Sequence, residues 1–262
     1  MLRTVCTLLL LPLLLAAKPA LAFGDSAHQL ICTLAYQLSS EPVRSKLDRL
    51  AQQGTQQNFN SACNWADEVR SVPEHSWSAP LHFINIPRNS SLVLPAQCPA
   101  QGCILSGISL MRQRLQEDNA DWQALLFLAH FIADLHQPLH VSYIDDLGGS
   151  RTAVYFFGQP TNLHAIWDYA LLHHGGYQQQ GRWPELFSRL TLQQTRQWQQ
   201  GTIRDWADES AQITQDIYQH FQGGMLLREE YVQQQMPKLE QRLLQAGVRL
   251  AWLLEQVLAN AN

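Results

Sequence analysis

The chain has 262 residues, 46% of them hydrophobic and 15% charged, with a formal net charge of −4. That balance supports one domain with a full apolar core. It excludes non-specific binding to duplexes by general phosphate neutralisation, so any contact with nucleic acid must come from a local positive site.

Met1 to Ala22 carries a basic residue at Arg3, an apolar run from Leu8 to Ala17, and Ala20-Leu21-Ala22 before Phe23. This is the order of a secretory signal peptide. Pro12 interrupts the run, which is too short to cross a bilayer comfortably, so cleavage after Ala22 is expected rather than a membrane anchor. The mature domain is then residues 23–262, exported to the periplasm or the medium without stable membrane association. Loss of the two charges on Arg3 and Lys18 takes its net charge to −6.

The helical period dominates the mature chain. Ala27–Leu38 reads as an amphipathic helix, and a second begins at Ser40 with Pro42 in its first turn. Further helices are expected over Ser61–Arg70, Leu105–Leu115, Asp121–Leu135, Asn162–Leu172 and Thr202–Phe221. Asp121–Leu135 is strongly apolar, belongs at the centre of the core, and is stopped by Pro138. Leu226–Leu258 is a long amphipathic pattern expected to break near Pro237. Ala153–Phe157 alone reads as a strand, after Gly148-Gly149. The fold class is therefore all-α, a single multi-helix domain with at most a short β-hairpin. Cys6 leaves with the leader, and Cys32, Cys63, Cys98 and Cys103 remain, an even number that allows three pairings in an exported chain. The short Pro- and Gly-bearing loop between Cys98 and Cys103 favours a local bridge, which would leave Cys32 with Cys63. Asn89-Ser90-Ser91 is a glycosylation sequon.

His130 and Asp134, four apart in LFLAHFIADLHQPLH, project from one helix face. His140 lies just beyond Pro138, and His164 and Asp168 repeat the spacing in NLHAIWDYA. A carboxylate beside apolar helix faces needs a cationic partner, and imidazole with carboxylate is a zinc ligand set. His28, Asp67 in NWADEVR and His82 in APLHFINIP enlarge the set beyond one metal. His75, His136, His173, His174 and His220 are assigned to structure or surface, with His136 a candidate to orient a ligand from behind.

Taken together in this order, FGDSAH, NWADEVR, APLHFINIP, HFIADLHQPLH, GGS, NLHAIWD and AGVRLAWLLEQVL resemble the single-strand-specific three-zinc nucleases of moulds and plants, the mung bean nuclease type, across nearly the whole mature chain. That family shares the fold of zinc-dependent phospholipase C. The resemblance implies three Zn2+ per chain. Asp67, His82, His130 and Asp134 would hold one, and His140, His164 and Asp168 another. The remaining ion would take His28 and the backbone amine and carbonyl of Phe23, with either Asp67 or Asp134 as a bridge. It implies an exported monomer that hydrolyses single-stranded DNA and RNA, as endonuclease and 3′-nucleotidase, to products with 5′-phosphates. Hydroxide generated on zinc would attack with Asp67 and Asp134 in the catalytic centre, Arg70 neutralising the phosphate and Phe83 stacking on a base. The chain departs from the family at Phe23, where Trp is usual, at Ser150, where Asn is common, and at Asn85, where Asp is common. Since an amide donates as well as accepts, the substitution at Asn85 bears on base preference. A phospholipase C-like lipid hydrolase and a non-catalytic exported zinc carrier are the competing readings.

Overall fold

Thirteen consecutive buried residues, Ala124 to His136, form the axis of the fold. They belong to helix α6, Trp122–His136, which begins where the Asp121 carboxylate accepts the Ala124 amide at 3.0 Å and ends before Pro138. In the computed structural model, residues 24–88, 90, 92–219, 221 and 224–259 are described. The leader, Phe23, Asn89 of the sequon and His220 lie outside the described residues.

Around α6 the other helices come in chain order: α1 Asp25–Leu38, α2 Glu41–Thr55, α3 Phe59–Ala62, α4 Trp65–Val69 and α5 Ile104–Glu117 before it. After it come α7 Leu163–Ala165, α8 Leu171–His174, α9 Trp183–Phe187, α10 Leu192–Trp198, α11 Ile203–Gln219 and α12 Glu229–Leu258. Helices α1, α2, α4, α5, α11 and α12 all pack on α6, which is why a helix apolar on every side is stable there. Helices α1 and α12 meet closely at Gly247, where an added Cβ would stand 2.7 Å from a Leu34 methyl.

The fold is all-α as expected, and its strands are short. The hairpin is present as β3 Ala153–Phe156 paired with β4 Gln159–Asn162, and β5 Leu226–Leu227 extends it in parallel. A second element goes beyond the expected hairpin: β1 Ile84–Ile86 pairs in parallel with β2 Val141–Tyr143, setting Asn85 opposite Ser142. Among the described residues no helix is long and apolar enough to cross a membrane. The disulfides are Cys32–Cys63 and Cys98–Cys103.

Two expectations are corrected and one is refined. Ser61–Arg70 is not one helix, because the chain turns at Cys63–Asn64 and Asp67 N–H bonds to Asn64 O rather than Cys63 O. Asn162–Leu172 is helical from Leu163 as expected, but widens into a π-helical stretch, Ile166–Ala170, between α7 and α8. Helix α12 does not break at Pro237. Pro237 and Gln233, whose carbonyl loses its bond there, are both exposed, where the freed group is open to solvent and the cost of the proline is reduced.

His136 faces away from the candidate ligands. Its ring bonds to Ile132 O at 2.7 Å and to Arg249 Nη1 at 3.0 Å. Burial and the charges of Arg242 and Arg249 hold it well below the usual histidine range, so it accepts from Arg249 as a neutral ring. Arg242 and Arg249 are both buried on α12 and share Glu209 of α11 at 2.6 Å. Helix α11 also closes the end of α6, with Ser210 Oγ donating to Leu135 O and Thr214 Oγ1 to Pro138 O, each at 2.5 Å.

Glu209→Gln should therefore cost about 3 kcal/mol, the low end for breaking a buried ion pair, because the Glu209 side chain is 37% exposed. Burial would raise its carboxyl, but bonds and charges from Arg249 and Arg242 outweigh that and lower it. A depressed carboxyl stabilises the fold above its unfolded pKa, and that stability is lost as pH falls through the folded value. Urea denaturation should show wild type and Glu209→Gln well separated near neutrality and converging below about pH 4.

Candidate metal centre

Each histidine of the site is delivered by a different element of the fold. His28 comes from α1, His130 from α6, and His82 from the end of the 3₁₀ stretch Pro73–His82. His140 ends the single turn Pro138–His140, which begins at the proline that stops α6. His164 sits in α7 and Asp168 in the π-helical stretch behind it.

The structure brings the expected side chains together. Asp134 is fully buried and has histidines on both sides. Its Oδ2 lies 2.9 Å from His82 Nδ1 and 3.2 Å from His130 Nε2, while Oδ1 lies 3.3 Å from His28 Nε2. Asp67 Oδ1 is 3.7 Å from His82 Nδ1 and 3.6 Å from His130 Nε2. His164 Nε2 is 3.2 Å from Asp168 Oδ2, and the His140 ring stacks on His164 with centroids 5.1 Å apart. Three groups result whose ligand atoms lie within 4.8 Å of one another: His28, His130 and Asp134; Asp67, His82 and His130; His140, His164 and Asp168. Of the two candidate bridges, Asp134 is the one that turns an oxygen to each side.

The donor set fits a zinc-like cation on three counts. Two ligands bound at about 2.0–2.1 Å in a tetrahedron stand about 3.3 Å apart, and the observed donor separations of 2.9 to 3.7 Å bracket that value. Asp67 Oδ1, His130 Nε2, His140 Nε2 and Asp168 Oδ2 are buried without a hydrogen-bond partner, a costly state unless a cation satisfies them. Finally, three rings are set by backbone carbonyls: His130 Nδ1 bonds to Cys63 O at 3.0 Å, His140 Nδ1 to His82 O at 2.7 Å, and His164 Nδ1 to Gly148 O at 2.8 Å. A carbonyl only accepts, so Nδ1 keeps the proton and Nε2 presents its lone pair, the outer arrangement metal-binding histidines use.

The electrostatics of the metal-free protein point the same way. Burial resists charging His130, yet Asp134 and Asp67 drive its pKa well up, so a proton compensates the two carboxylates. Asp134 is lowered well below the usual range, against burial, by the charges of His130 and His140. Burial lowers His82, and lowers His140 to about 4. Asp168 is pushed up to about 7, chiefly by burial.

Beside the metal groups opens a cavity of about 270 Å³, lined by Arg70, Phe83, Asn85, His140, Leu147 and His164 among others. Arg70 Nη1 stands 3.5 Å from Asp67 Oδ1. Phe83 is 39% exposed despite its position next to fully buried His82, which favours ligand contact over core packing. Ser150 lines the same cavity. His75 packs edge-on against Trp65, and His174 stacks on Phe157, so neither joins the site. The sequence pattern did not single out Gln137, a buried amide whose Nε2 donates to Asp168 Oδ1 at 2.6 Å. Its place between His136 and Pro138 was the available signal.

A profile of the S1/P1 nuclease family, described as S1/P1 Nuclease, matches residues 23–259. The chain belongs to the S1/P1 nuclease family. It is 30% identical to Endonuclease 2 of Arabidopsis thaliana over 98% of this chain and 97% of that protein. Endonuclease 3 of the same plant is 27% identical over 91% and 90%. Nuclease P1 of Penicillium citrinum is 32% identical over 56% of this chain and 57% of its own length. As a member of the S1/P1 family the protein is a nuclease.

A buried carboxyl with a raised pKa stabilises the fold fully below its unfolded value, near 3.9, and that stability is lost as pH rises through the folded value. With chelator present, wild type should weaken between about pH 4 and pH 7 from this source. Asp168→Asn, neutral throughout, should gain on it over the same range. Excess zinc should reverse the order near neutrality, because only wild type keeps the carboxylate ligand. Urea denaturation of both proteins with chelator and with zinc checks this.

Proposed function

We propose that the protein is a zinc-dependent phosphodiesterase that cleaves single-stranded DNA and RNA, as endonuclease and 3′-nucleotidase, to products with 5′-phosphates. The observation that carries this reading is the shared cavity, in which an exposed aromatic ring, an amide and a guanidinium meet the metal-type His/Asp groups. In this reading Asp67, His82, His130 and Asp134 hold one zinc. His28, Asp134 and the amino terminus at Phe23 hold a second, and His140, His164 and Asp168 a third. Bound zinc would supply water of pKa near about 7 and a local positive charge, which a chain of net charge −4 otherwise lacks.

The protein's own groups do the positioning. Arg70, a third exposed and held beside Asp67, donates to the phosphate as charge builds on its oxygens. Phe83 presents a ring on which any base can stack. Asn85 lies on β1 beside it and offers both an acceptor and a donor to a base edge. A base paired within a duplex cannot enter a cavity between these groups, so unpaired strands are preferred. Removal of residues 1–22 would free the Phe23 amine, and the two disulfides fit an exported protein, acting as a monomer.

Purified protein beginning at Phe23 should cleave single-stranded DNA and RNA, lose activity in chelator and regain it with zinc. Asp134→Asn should abolish cleavage and lower zinc content. Phe83→Ala should lower kcat/KM about tenfold through lost stacking, and Arg70→Ala should lower kcat about 100-fold. Full zinc occupancy with no cleavage would overturn the proposal, and turnover of phosphatidylcholine instead would redirect it to lipid substrates.

A further inference from the structure

The loop between β2 and β3 is conformationally expensive. Leu147, Gly148 and Gly149 have φ of 53°, 63° and 86°, three consecutive left-handed residues, one of them not glycine. Such backbone persists only where surrounding contacts hold it. Gly148 is needed for space as well, since a Cβ there would stand 2.5 Å from Leu139 O.

Backbone bonds contribute, with Gly148 N–H donating to Tyr143 O at 3.0 Å, and the side chain that gathers the rest of the loop is Asp146, itself only 7% exposed. Its Oδ1 accepts the Gly149 N–H at 3.1 Å. Its Oδ2 accepts Thr152 Oγ1–H at 2.7 Å and the Tyr218 hydroxyl at 2.5 Å, with Arg88 Nη2 at 3.5 Å. Arg88 in turn lies over the rings of both Tyr143 and Tyr218, 4.7 and 4.8 Å from their centroids. The anchor therefore draws on β2, α11 and the loop after β1. On its other side the loop delivers two bonds to one residue: Gly148 O accepts His164 Nδ1–H at 2.8 Å, and Gly149 O accepts the His164 backbone N–H at 3.4 Å.

We infer that Asp146 is a positioning residue for the His140–His164–Asp168 metal group: by fixing the left-handed turn it places the Gly148 carbonyl that sets the His164 tautomer and aims Nε2 toward Asp168. The inference rests on the reading of that group as a zinc site. Asp146 stands behind the loop, and the side chains gathered around Asp134 come from other elements. Its loss should therefore be selective, loosening one zinc of three.

The test is zinc content per chain during titration with a competing chelator. Wild type is compared with Asp146→Ala, Asp146→Asn and Leu47→Ala, the last a core-cavity variant that lowers stability without touching the loop. In Asp146→Ala one zinc should be released up to about tenfold more readily, the low end of the cost of losing a partner of a metal-bound histidine, because the Gly148 carbonyl is loosened rather than removed, with the other two held as in wild type. Asp146→Asn, whose amide oxygen can still accept from Gly149, should recover part of the loss. If Asp146→Ala does not fold, Tyr218→Phe, which removes one bond to Oδ2, should show a smaller shift of the same zinc. Unchanged release of all three, or parallel weakening of all three as in Leu47→Ala, overturns the inference. Wild type that binds no zinc overturns the metal reading itself, a result separable from the first because it needs no variant.

Discussion

A fully buried carboxylate at the centre of the longest run of buried residues is the constraint on which the rest of this structure depends. Asp134 occupies a position on α6 that packing alone would give to leucine. Isolated in that setting, its charge would be too costly to keep. It is retained because His82 and His130 gather at one oxygen and His28 at the other. Each of these residues is brought from a different element. The packing of α1, α4 and the 3₁₀ stretch against α6 is thus also the assembly of the site.

The irregular backbone of the domain is concentrated where it serves that assembly. The turn at Cys63–Asn64 interrupts a helix and so frees Cys63 O for His130, and the Cys32–Cys63 disulfide ties that turn to α1, the helix bearing His28. The parallel pair β1–β2 does the same for the other end. It runs from Asn85, in the cavity, to the strand that leads into the left-handed loop. Carbonyls belonging to Cys63, His82 and Gly148 then orient three rings. These are groups that regular secondary structure would have consumed.

The same division explains which features were legible in the sequence. His130 with Asp134 and His164 with Asp168 could be read because helical spacing places them, and His82 and His140 because prolines mark where the chain turns. The central helix was legible from unbroken apolarity. The irregular turns were not, since Ser61–Arg70 and Asn162–Leu172 keep helical periodicity through them; the reasons lie in partners distant in sequence. Pro237 misled in the opposite direction, as a local rule that favours a break gave way to a carbonyl that water can satisfy. The anchoring roles of Asp146 and Gln137 were invisible for a similar reason. Nothing local distinguishes an aspartate that holds a turn from one at the surface.

The middle and the C-terminal end of α6 also show why its histidines divide as they do. Near the middle, carboxylates outnumber fixed cations, and in the metal-free protein protons on His130 and Asp168 make up the difference. At the C-terminal end the balance is reversed, with Arg242 and Arg249 sharing Glu209 and holding His136 neutral. An excess of buried negative charge invites a cation, whereas a histidine beside two arginines repels one. The same residue type six positions apart is therefore a ligand candidate in one place and a structural acceptor in the other. Charge environment, rather than identity or burial, separates the two roles.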